Sequence, residues 1–161
     1  MSFFALSRLF DVMWMRGVAG VLAVVVAFVV PANAGGKKVD AAVVTRPADV
    51  GPYTAPDGDK LLAEGKKLFD SLKISENGLT CKSCHFKYEA YEESFLLPYP
   101  HAVGMAKKRA GMDAVEADEM VQLCLVITMD SKPLPWESRE LAALTAYVLD
   151  QQRGFIAHKG N

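Results

Sequence analysis

Cysteine is scarce in this chain of 161 residues: there are three, too few for a disulfide framework. An excess of charge of one sign is missing as well, with 18 Lys and Arg against 19 Asp and Glu. This removes the electrostatic field that nucleic acid or anionic lipid needs in a main partner, and no nucleic-acid binding is expected. Long apolar runs are limited to one, at 17–30, so a polytopic membrane protein is excluded. No internal repeat is visible. What is present, 51% hydrophobic and 23% charged residues, fits one ordinary globular domain and neither a disordered tail nor a collagen-like rod.

The apolar run follows Arg16 and precedes Pro31 and the triplet Ala32-Asn33-Ala34, the three-part layout of a secretory signal. Residues 1–34 are therefore expected to be a signal peptide cleaved after Ala34, with a periplasmic mature protein. At helical rise the run covers roughly 21 Å, short of the ~30 Å hydrocarbon thickness. Membrane attachment is expected only if the segment stays uncleaved. Residues 35–59 are rich in Gly, Pro, Ala and Lys without a sustained period and read as an extended N-terminal arm, with a short strand at 39–44.

The packed domain is expected over 60–155, followed by a tail at 156–161. Leu61, Leu62, Gly65, Leu68, Phe69 and Leu72 recur at spacings of three and four, predicting a helix over 60–72 with Asp57 or Asp59 as its cap. Asn77-Gly78 marks a turn, and Pro98 and Pro100 predict a loop over 95–104. A second helix is predicted at 114–127, stopped by Lys132-Pro133-Leu134-Pro135. A third is predicted at 138–152, capped by Ser138 and ended by Gly154. The fold class is all-α.

The chemistry is concentrated in Cys81-Lys82-Ser83-Cys84-His85. Two thiols spaced by two residues suit thioether bonds to both vinyl groups of a haem, and the adjacent histidine suits the iron; this is the c-type attachment signature. The competing readings are a redox dithiol, which belongs in a βαβ pattern, and half a zinc site, which needs a second ligand pair. Neither context is present. An export signal agrees with haem attachment outside the cytoplasm.

Over 60–155 the sequence resembles the monohaem class I c-type cytochromes, in EGKKLF before the motif, in CKSCH, and in the terminal ELAALTAYVLDQQ. The resemblance implies a small helical domain wrapped around one covalent haem c, with Gly65 at a close crossing of the first and last helices beside Leu144 and Tyr147. Met129, ahead of the last helix, matches the usual methionine ligand. The stretch from Tyr99 to Val148 is also similar to the haem domains of the SoxA and thiosulfate dehydrogenase group and to small His/Cys monohaem cytochromes. In that group a cysteine ligates haem, which carries over to Cys124. The expected set is thus Cys81 and Cys84 for the thioethers, His85 as proximal iron ligand, Cys124 as favoured distal ligand and Met129 as alternative.

Met105, Met112 and Met120 are further sulfur candidates, while His101 reads as a loop histidine and His158 as a tail residue. Lys107, Lys108 and Arg109 read as a solvated or docking face, Arg139 and Lys132 as possible partners of haem propionates, and Trp136 as cover for the haem or core edge. The leading expectation is an exported carrier of single electrons between redox partner proteins rather than a stand-alone enzyme, with a link to sulfur-compound oxidation. The alternative is a cysteine-ligated subunit of a thiosulfate-oxidising enzyme or a small-gas-binding haem protein, paired as a homo- or heterodimer. A dithiol exchange protein is the third class.

Overall fold

The computed structural model describes residues 36–51 and 57–160, all within one unit of the chain, Asn33–Asn161. The expected signal peptide lies outside the described residues. Six α-helices and three short 3-10 turns carry the fold, and no strand forms among the described residues. The all-α expectation is met. No described helix is long and apolar enough to cross a membrane.

Residues 39–44, expected as a strand in an extended arm, instead place a single helical turn, α1 (Ala41–Val44), against the domain. The Asp40 carboxylate accepts from Ala42 N–H at 3.0 Å and starts the turn. Val44 is then fully buried beside Ala106, Met112, Val115, Leu123 and Val126. Arg46 completes the attachment: its guanidinium forks onto Asp118 at 2.7 and 2.8 Å, and its backbone N–H donates to Glu119 at 3.0 Å. This stretch of the arm joins the core because Val44 has an apolar site to fill and Arg46 a buried acid to pair.

Helix α2 (Gly58–Phe69) buries Leu61, Gly65 and Phe69, the i, i+4, i+8 stripe read from the sequence. It ends before Leu72 because Ser71 is extended; its hydroxyl accepts from Lys73 N–H and begins a 3-10 turn, Leu72–Ile74. Asp57 stands at the N-cap position, yet its carboxylate meets Arg139 instead of the helix backbone. The short α3 (Cys81–His85) follows. Within the expected 95–104 loop the end of a 3-10 turn, Glu93–Leu96, and the start of α4 (Gly104–Ala110) intrude. Glu92 makes α4 possible by accepting the Gly104 and Met105 amides at 2.8 and 3.3 Å.

Helix α5 (Ala117–Ile127) starts at a capping box of Glu116 and Glu119, three residues later than the sequence pattern suggests. It separates two apolar clusters. Leu123 and Val126 join Val44 and α4, whereas Val121 and Leu125 join Phe69, Met129, Leu141 and Leu144. Buried Gln122 ties the following loop down, donating to Leu134 C=O at 2.6 Å and accepting from Leu134 N–H at 2.9 Å.

The last helix, α6 (Arg139–Lys159), runs seven residues past the expected end and absorbs most of the expected tail. Gly154 does not terminate it. A Cβ there would come within 2.2 Å of the Tyr88 hydroxyl, so the residue serves a close contact, and Phe155 beside it is buried. Gly65 serves the α2–α6 contact in the same way. A Cβ there would meet Ala143 C=O at 1.9 Å and Tyr147 Cβ at 2.8 Å, while Phe69 and Tyr147 pack edge to face at 5.1 Å.

Candidate functional site

The CKSCH segment becomes a site because of its cap. Thr80 Oγ1 accepts from Ser83 N–H at 3.2 Å and Ser83 Oγ from Thr80 N–H at 3.0 Å, closing residues 81–85 into one helical turn. Spacings of three and four put Cys81, Cys84 and His85 on one side of that turn. Lys82 pairs with Asp70 at 2.9 Å. The chain then doubles back through Lys87, Tyr88 and Ala90, non-glycine residues at φ 51°, 68° and 56°. Such left-handed backbone costs about 1–3 kcal/mol per residue and persists where surrounding contacts fix it.

The reversal brings the Glu89 carbonyl to 3.1 Å from His85 Nδ1. A carbonyl only accepts, so Nδ1 carries the proton and Nε2 keeps a lone pair; metal-binding histidines are oriented in this way. Burial depresses the His85 pKa and favours the neutral ring. Tyr91 stacks on His85 at 4.1 Å and Phe95 on Tyr91 at 4.1 Å.

These residues form one wall of a cavity of about 280 Å³. α5 supplies Met120, Val121 and Cys124 to the wall, the loop after it Thr128 and Met129, and α2 and α6 supply Phe69, Leu144 and Val148. The five expected site residues, Cys81, Cys84, His85, Cys124 and Met129, all line this one cavity. Cys124 is half-buried, whereas Met129 is 2% exposed and also packs in the core. The Met129 N–H donates to Cys124 C=O at 3.2 Å, fixing the two sulfur residues to one turn of chain.

Burial acts on the thiols of Cys81 and Cys124. Burial, with the neighbouring thiols adding to it, pushes Cys124 up to about 12 and Cys81 up to about 11. Reactive dithiols need a lowered pKa, and Cys81 of the motif is moved the other way. Among the described residues no group of three or more His, Cys, Asp and Glu is arranged to hold a metal ion.

The remaining candidates separate by position. Met105 and Met120 line the cavity and Met112 does not. His101, expected as a loop histidine, is buried on the cavity wall, bridged through its backbone to Val115. His158 lies on α6 near the Tyr88 ring, 5.5 Å away. Lys107, Lys108 and Arg109 end α4 away from the cavity lining, with Lys107 paired to Asp113. Arg139 binds Glu64 at 2.7 Å and Asp57 at 3.1 Å, Lys132 is exposed, and neither lines the cavity. Trp136 packs at the edge of the Phe69 cluster, not on the cavity wall.

The sequence reading missed Tyr91 and Ser94, whose only signal was membership of the mixed stretch after His85. None of the family models, curated proteins or solved structures compared with the chain matches it.

Proposed function

We propose that the protein is an exported monohaem c-type cytochrome that carries single electrons between periplasmic redox partners. The observation that carries the reading is the placement of two thiols and an oriented imidazole on one side of a helical turn, facing a cavity that Cys124 and Met129 also line. Cys81 and Cys84 hold the haem through thioethers and His85 ligates its iron. The haem supplies the one-electron chemistry. The chain's own residues exclude water through Phe69, Val121, Leu144 and Val148 and hold the His85 proton on Nδ1.

Of the two distal candidates, Cys124 is favoured. It is the more open to its surroundings, whereas Met129 is packed among Phe69, Leu125, Leu141 and Leu144. A thiolate holds the ferric state and lowers the potential, while a thioether raises it. The position of Cys124 also favours a second reading, a cysteine-ligated haem subunit in sulfur-compound oxidation or gas binding, working as a homo- or heterodimer.

The test uses full-chain protein produced with a haem-maturation system, comparing electron-spin and near-infrared spectra of wild type, Cys124→Ala and Met129→Leu. Thiolate-type low-spin signals lost only in Cys124→Ala assign Cys124. A methionine–iron band lost only in Met129→Leu assigns Met129 and simple electron transfer. Wild-type protein matured in this way yet carrying no covalent haem defeats the proposal.

A further inference from the structure

Among the described residues, three buried polar side-chain atoms have no hydrogen-bond partner: the hydroxyls of Tyr91 and Ser94 and Nδ1 of His101. All three residues line the cavity, and His101 is 6% exposed. Leaving a buried polar group unpaired costs about 1–3 kcal/mol, so three on one stretch of wall point to a polar group of an occupant.

The rings of Tyr91 and His101 are held by their neighbours. Tyr91 stacks on Phe95, Phe95 meets Tyr99 at 6.4 Å, and Tyr99 packs on His101 at 4.2 Å. The His101 backbone exchanges two hydrogen bonds with Val115, at 3.3 and 3.0 Å. No Lys or Arg is among the described residues of the wall. Its one carboxylate, Glu92, already accepts the Gly104 and Met105 amides. The cations that the sequence suggested for this task are placed elsewhere, Arg139 against Asp57 and Glu64 and Lys132 in solvent.

We propose that Tyr91, Ser94 and His101 form a carboxylate-binding wall that takes the propionate groups of the haem through neutral donors. This rests on the haem reading above. Hydroxyl and imidazole N–H groups stabilise a carboxylate by hydrogen bonding without cancelling its charge. The uncompensated negative charge near the iron then favours the oxidised state.

The experiment takes full-chain holoprotein whose haem carries ¹³C at the propionate carboxyls and records oxidised-minus-reduced infrared spectra. Wild type is compared with Tyr91→Phe, Ser94→Ala and His101→Leu, the first two removing only an oxygen. The expected result is a shift of the label-sensitive carboxylate bands in the variants with the low-spin iron spectrum retained. Bands unmoved in all three variants overturn the assignment. So does a His101→Leu protein whose iron turns high-spin, because His101 is then an iron ligand. Wild-type protein without covalent haem overturns the haem reading itself, an outcome visible by mass before any infrared measurement.

Discussion

Helices α2 and α6 take part in two regions built on opposite terms. At Gly65 they approach so closely that a Cβ would sit 1.9 Å from the Ala143 carbonyl oxygen. Further along the same helices, Phe69 and Leu144 face a cavity of about 280 Å³. Protein interiors are close-packed, and a domain of this size holds few spaces larger than a water molecule. The first region supplies all its own contacts. The second has apolar walls, sulfur and nitrogen atoms and unpaired polar groups, and on the proposed reading the haem completes its contacts.

The largest effect follows from depriving the second region of its proposed haem. In a Cys81→Ala/Cys84→Ala chain, amide hydrogen exchange is expected to lose roughly a thousandfold of its protection across 86–105, while α2 and α6 around Gly65 keep theirs. Equal loss in both regions would break the comparison, since the close-packed contact would then depend on the haem as well.

Gly65→Leu attacks the first region directly. The side chain has no room between α2 and Ala143, and denaturant unfolding should show a loss of about 2–3 kcal/mol. A cost well below 1 kcal/mol would mean that the helices separate easily and that the crossing does not organise the fold.

The smallest effect is expected at Arg46→Ala. It leaves Asp118, 6% exposed, without its guanidinium partner, at a cost of about 1–2 kcal/mol. Faster proteolysis within 36–51 is the accompanying sign. Because Arg46 is not part of the cavity lining, the iron spectrum of the holoprotein should be unchanged. A changed spectrum would show that the arm positions α5 and Cys124, linking the two regions.

Much of the close-packed region is legible in the sequence. Leu61, Gly65 and Phe69 repeat at four residues, and Leu141 and Leu144 at three, so both helices and their facing stripes follow from periodicity. The misreadings have a common cause. Gly154 carries the composition of a helix stop, yet α6 continues because Tyr88 needs the space a side chain would fill. Residues 39–44 alternate weakly like a strand, yet a local cap at Asp40 and a distant pocket for Val44 make them helical. Glycine and valine have several uses, and sequence-distant partners choose among them.

The sequence by itself determined the chemistry available: two thiols and a histidine at fixed spacing, with Thr80 and Ser83 placed to wind them into one turn, because every interaction involved spans only a few residues. Only the tertiary structure decided what that turn faces. Cys124 and Met129, some forty residues away, share its cavity because α5 is held between two apolar clusters and Gln122 ties down the loop after it. Tyr91, Ser94 and His101 bring unpaired polar atoms to the same wall only when the left-handed turns after His85 and the bridge to Val115 fix their positions. Such positions depend on packing summed over the whole chain, which no local pattern encodes.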